Sequence, residues 1–193
     1  YTLWHTLSLH DALPISAEAA LRSFVAALAL RDACVAATGE AGRFALKWPN
    51  DVLLDGGKLA GILLERVGET LLVGVGVNLA ATPDAADIED GAVPPVALGA
   101  ATGTAIAPAA FLDLLAPAFA RWEGRLAADG FAPVRAAWLA HAARLGETVT
   151  ARTGREEIVG RFETVDAAGH LVLHGAAGRR AIAAAEVFFP DPV

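Results

Sequence analysis

Residues 47–65 read KWPNDVLLDGGKLAGILLE, two apolar runs separated by a turn. Val52 to Leu54 and Lys58 to Val67 flank Asp55-Gly56-Gly57, and an Asp-Gly pair accepts the positive φ angles that a two-residue hairpin loop demands. Upstream, Arg43 to Trp48 has strand character and stops at Pro49, which cannot donate to a ladder. Downstream, Gly68-Glu69-Thr70 turns the chain into a further strand, Leu71 to Leu79. The product is an antiparallel meander with one apolar face that helices must cover.

Helices are available on both sides. Leu21, Phe24, Val25, Leu28 and Val35 recur at helical spacing over residues 17–38, and Gly39 ends the run. Phe111, Leu114, Leu115, Phe119, Trp122 and Leu126 share a second helical face, which Pro117 is expected to kink or split. Phe131, Val134, Trp138 and Leu145 mark a third helix, with Pro133 in its first turn and Gly146 at its close. Between the meander and these helices, Ala80 to Ala107 loses periodicity and carries Asp84, Asp87, Glu89 and Asp90. A loop of this length is expected to be functional or disordered, and its acidic part is most simply a solvated face. After Gly146 the texture changes to short strands with Gly-containing turns: Val149 to Ala151, Ile158 to Asp166, Leu171 to His174, Ala181 to Ala183 and Val187 to Phe189. These suit a small closed barrel. The expectation is an α+β fold, a mixed or antiparallel sheet with packed helices over residues 17–146, followed by a small β-barrel over residues 147–193.

Composition bounds the chemistry. Hydrophobic residues make up 55% of the 193 and charged ones 19%, which supplies a core and argues against global disorder. The net charge is −7 and there is no Lys/Arg run, so nucleic acid is not an expected partner. The longest uncharged run, Gly91 to Leu112, holds three prolines and three glycines among alanines, so a membrane span is not expected either. The single cysteine, Cys34, excludes a disulfide framework, fits a reducing cytoplasmic setting and is expected to be a buried structural thiol. Residues 1–16 lack any period, begin with Tyr1 and hold two of the three serines; they are expected to be foreign sequence joined to a truncated protein.

The scarce residue types point to a site. Thirteen arginines stand against two lysines, Lys47 and Lys58; there are two asparagines, Asn50 and Asn78, and no glutamine. Where arginine would serve for any solvated charge, a retained lysine suggests that a compact, mobile ammonium is wanted. All four residues lie within positions 47–78.

The 47–65 segment resembles the signature of the biotin protein ligases, and GVGVNL at 74–79 resembles that family's second marker. The glycines at 74 and 76 are not a dinucleotide loop, because Leu79 stands where the third glycine belongs. The resemblance spans roughly Ala17 to Phe189 and implies a class II synthetase-like catalytic domain with an SH3-like barrel behind it. It implies ATP and biotin as substrates, Mg²⁺ to offset phosphate charge, and a biotin carboxyl carrier protein of acetyl-CoA carboxylase as the acceptor, with a possible homodimer. By the same resemblance Lys47 and Lys58 are catalytic, near the acyl-phosphate and the biotin carboxylate. Asn50 and Asn78 contact adenine, Asp51 positions Mg²⁺ or the nucleotide, and Gly61, Ile62 and Leu63 line the biotin pocket. Alternatives stand beside these: a self-capped turn for Asn50 and Asp51, and a core position for Trp48.

The family's Gly-Arg-Gly-Arg loop occurs nowhere in the 193 residues. The chain by itself is therefore expected to activate biotin weakly or not at all. A lipoate–protein ligase relative and a non-catalytic fragment that docks a carrier are the other functional readings. No metal site is assigned from the sequence.

Overall fold

A computed structural model describes residues 16–83 and 92–189. Most of the segment expected to be foreign, and the acidic residues 84–90, lie outside the described residues. Ser16 is described: its hydroxyl accepts from the Ala19 N–H and caps α1 (Ala17–Ala20). The long helix α2 (Arg22–Thr38) follows, ended by Gly39 at φ +77°.

β1 (Phe44–Lys47), β2 (Asp51–Leu54), β3 (Gly57–Val67) and β4 (Thr70–Val77) form an antiparallel sheet in chain order. The β2–β3 loop is the expected one, with Asp55 at φ +50° and Gly56 at φ +82°. Gly57 is required for a different reason. A Cβ there would stand 3.0 Å from the Val96 Cβ, because Pro94 to Val96 return to pair with Lys58. α3 (Leu98–Thr102) follows this return.

Phe24 to Leu30 of α2 are all under 5% exposed, so this helix is covered on nearly every side rather than amphipathic. One side meets the sheet and the other meets α4 (Pro108–Asp129) and α5 (Phe131–Leu139). Phe24 stacks edge-on against both Phe131 and Trp138, at 5.1 and 5.2 Å.

Two helix expectations are corrected. Pro117 does not split α4, which runs through it without a break. Pro117 and Asp113 are both solvent-exposed, so the carbonyl freed by the missing N–H can be hydrated. Phe111, Ala118 and Leu126, buried, hold the helix on either side. The other correction is at Gly146, which does not close α5: the helix stops at Leu139. The chain then crosses to β1, where Leu46 N–H donates to the His141 carbonyl and Ala143 N–H to the Leu46 carbonyl, both at 2.8 Å. Gly146 serves the turn that follows, at φ +86°, donating to the Phe162 carbonyl.

The remaining strands, β5 (Thr148–Arg152), β6 (Glu157–Val165), β7 (Leu171–Gly175), β8 (Gly178–Ile182) and β9 (Glu186–Phe188), form a second antiparallel sheet in the order β8-β7-β6-β5-β9. Its two edge strands are consecutive in sequence. Four residue steps from Ile182 to Glu186 span at most about 14 Å, whereas the edges of a flat five-stranded sheet stand roughly 19 Å apart. The sheet is therefore curled into a barrel, left open between β8 and β9. Among the described residues no helix is long and apolar enough to cross a membrane.

Candidate active site

Lys47 closes β1 and Asp51 opens β2, and the two are register partners, so they share a face of the sheet. Asp51 is in turn opposite Gly61 of β3. Lys58 and Gly61 are three positions apart, which in a regular strand would put them on opposite faces. A β-bulge removes the conflict. Val52 pairs with Ala60 and Leu53 with Lys58, so Leu59 is the extra residue and Lys58 returns to the Asp51 face.

Asp51 stands between the two ammonium groups. Its Oδ2 is 3.4 Å from Lys47 Nζ, and its Oδ1 is 2.8 Å from Lys58 Nζ. The second contact is ionic and lies off the hydrogen-bond direction, since the buried Oδ1 accepts no directed hydrogen bond. Exposure separates the lysines: the side chains of Lys47 and Asp51 are 8% and 7% exposed, that of Lys58 44%. Lys47 is a fixed, desolvated cation; Lys58 reaches in from solvent and can move. Two ammonium groups against one carboxylate leave the site with excess positive charge, suited to an incoming anion.

Gly61 bares the space over the pair. A Cβ there would meet Asp51 Oδ1 and Lys58 Cε at 3.6 Å, ordinary contact, so the glycine leaves room for a ligand rather than relieving a clash. The same face continues through Gly76, opposite Gly61, and through Leu63 opposite Gly74, with Leu63 38% exposed. Lys47, Asp51, Lys58, Gly61 and Leu63 are thus brought together on one face. Ile62 is not: it is 2% exposed, pairs with Val75 and belongs to the opposite, helix-covered face.

Both asparagines tie strands together. Asn50 Nδ2 donates to the Ile62 carbonyl at 2.8 Å, and Ile62 N–H donates back to the Asn50 carbonyl. Asn78 Nδ2 donates to the Lys58 carbonyl at 3.3 Å, while its own carbonyl receives Leu98 N–H. Each amide keeps one N–H and its oxygen for another partner.

Further contacts support the site from outside the 47–78 window. Ser23 of α2, 8% exposed, donates to the Pro49 carbonyl at 2.9 Å. Trp48, 3% exposed, is a core residue whose Nε1–H donates to the Gly169 carbonyl in the β6–β7 turn. The Phe189 ring centroid lies 5.8 Å from Lys47 Nζ. Such long-range partners leave no local sequence pattern. His141, whose carbonyl receives Leu46 N–H, is held below its ordinary pKa by burial and by the nearby Arg31 charge, against a smaller opposing pull from Asp32. Cys34 is buried, and burial pushes its thiol up to about 12, so it is inert at neutral pH.

The chain is similar to known proteins in sequence and in fold. The family described as Biotin/lipoate A/B protein ligase matches residues 3–80, and the Biotin protein ligase C terminal domain matches residues 145–189. A biotin--[acetyl-CoA-carboxylase] ligase of Paracoccus denitrificans is 60% identical over 176 residues, 89% of this chain and 73% of that protein. The chain belongs to the biotin protein ligase family. In fold, this family member is similar to the biotin protein ligase of Aquifex aeolicus, with a TM-score of 0.77 at 22% identity over 87% of this chain and 74% of that one. The same Aquifex ligase in complex with biotin and ATP gives 0.76 at 23% identity, over 87% and 70%.

Proposed function

We propose that this chain carries the site at which biotin is activated by ATP and from which it is passed to a carrier lysine. In the first step the biotin carboxylate oxygen attacks the α-phosphorus of ATP. A P–O bond forms, the bond to pyrophosphate breaks, and biotinyl-adenylate results. In the second step a neutral lysine amine of a biotin carboxyl carrier protein attacks the acyl carbon. The amide forms, AMP leaves and the amine's proton is released. Bringing one anion to a polyanion is the obstacle, and preorganised cations remove it.

The observation that carries this reading is the meeting of both lysines of the chain at Asp51, beneath the opening left by Gly61. Lys58, the exposed member, follows the carboxylate and α-phosphate as charge develops; Lys47 holds the acyl-phosphate from a fixed position. Asn50 and Asn78 offer their remaining amide groups to the adenine edge, and Leu63 with the backbone of Gly61 and Ile62 borders biotin. The Paracoccus relative's acetyl-CoA-carboxylase ligation and the Aquifex complex with biotin and ATP support the substrates.

A protein-held Mg²⁺ does not fit this donor set. Both Asp51 oxygens face ammonium groups, and among the described residues no cluster of three His, Cys, Asp or Glu side chains could ligate a metal. Any Mg²⁺ would have to arrive with the nucleotide, where it would offset phosphate charge. The catalytic part is residues 17–146 and the barrel is residues 147–193.

Single-turnover formation of adenylate from α-labelled ATP, with biotin or lipoate and excess protein, tests the reading. Lys58→Ala is expected to lower the biotin-dependent rate about 10²–10³-fold, the usual loss for one preorganised stabilising group. An unchanged rate, or a preference for lipoate, overturns it.

A further inference from the structure

Three consecutive residues at the end of β1 are each gripped by chain that follows α5. Leu46 exchanges main-chain hydrogen bonds with His141 and Ala143, Lys47 lies against the Phe189 ring, and Trp48 donates to the Gly169 carbonyl. The middle contact has the least obvious purpose. A buried ammonium offers three N–H donors, yet among the described residues Lys47 has one hydrogen bond, a 3.4 Å contact to Asp51. That is long for a charge-assisted bond, which ordinarily closes to about 2.7–2.9 Å. The side chain is only 8% exposed.

We propose that Phe189 is a positioning residue for Lys47: its ring face supplies the missing attraction and fixes where the ammonium points. The ring centroid is within the ~6 Å at which a cation feels the quadrupole of an aromatic face. The same ring takes the Arg144 guanidinium at 5.4 Å. Arg144 is a non-glycine residue at φ +60° in the turn between α5 and β5, and its Nη1 is paired with Glu147 at 2.8 Å. The turn and the last described residue therefore meet at one ring, and that ring meets the lysine. The segment just after β9 thereby acts on the chemistry through Lys47. The inference rests on the reading of Lys47 given above, and deepens it by naming what aims that lysine.

The chain has only two lysines, so lysine labelled with ¹³C at Cε gives two side-chain NMR signals, one per site. In the ligand-free protein, Phe189→Leu should move the Lys47 signal alone toward its position in free lysine, as the ring current is lost, and Phe189→Tyr should keep it in place. If neither signal moves, the ring does not act on the ammonium and the proposal fails. If both move together, Phe189 merely supports the fold, and the proposal fails again. Titration with Mg-ATP then tests the consequence. The Kd read from the Lys47 signal should rise about two- to fivefold in Phe189→Leu, the equivalent of a ~0.5–1 kcal/mol cation–π contact, and return with Phe189→Tyr. An unchanged Kd overturns the positioning role. If ATP moves neither lysine signal in the unsubstituted protein, the reading of the lysines fails instead, and the ligand-free spectra still decide whether the ring holds Lys47.

Discussion

The meander under its helices and the barrel behind it are both antiparallel, but they treat charge differently. In the meander, Lys47 and Asp51 face each other at 8% and 7% side-chain exposure; Ser23, the other buried polar side chain among the described residues, lies on α2 and bonds to the Pro49 carbonyl beside them. In the barrel, Arg152 pairs with Glu157 at 53% exposure on both sides, and Arg180 with Glu156 at 46% and 50%. Buried pairs are poor devices for stability, since desolvation offsets most of their attraction. A sheet that keeps one has retained it for something other than folding. In the barrel, β6 follows the ordinary rule of alternation, with Ile158, Gly160 and Phe162 inward and the charged Glu157 and Arg161 in solvent. The functional region is recognisable because it breaks that rule.

If the contrast is real, substitutions should divide accordingly. Asp51→Ala leaves Lys47 buried without an anion and should lower unfolding free energy by about 3–5 kcal/mol, read by chemical denaturation. A loss below about 1 kcal/mol would show that the pair is solvated and the comparison mistaken. Trp48→Phe keeps the apolar packing but orphans the Gly169 carbonyl and should destabilise by about 1–3 kcal/mol. Because that bond joins the two regions, proteolysis of the barrel should accelerate alongside; an effect confined to the meander would argue that the regions are not mechanically linked there. Arg180→Ala removes an exposed pair and should leave the denaturation midpoint within error of the unsubstituted protein, at low and at high salt alike. A larger change would place barrel charge on the same footing as the Lys47–Asp51 pair.

Much of this was legible before any coordinates. The Asp-Gly loop, the meander and the five C-terminal strands were written in turn residues and apolar runs. The rarity of lysine and asparagine marked the window that became the site. The failures were of one type. Pro117 was read by its local preference, and α4 passed through it because buried packing at Phe111, Ala118 and Leu126 outweighed that preference. Gly146 was read as a helix end, whereas the chain had already left α5 to pair with β1. Ile62, which the family resemblance groups with Gly61 and Leu63, turns its side chain to the helix-covered face, so only its backbone shares their side of the sheet.

The sequence alone determined the order of strands and turns and which side chains could carry positive charge to an anion, because turn chemistry and amino-acid identity act within a few residues. Tertiary structure decided that Lys47 and Lys58 share a face, through one unpaired residue at Leu59, and that Trp48 and Lys47 are held from the far end of the chain. Facing depends on register, and burial on which segments come together across a hundred residues or more. Both follow from how the elements assemble, which no local pattern encodes.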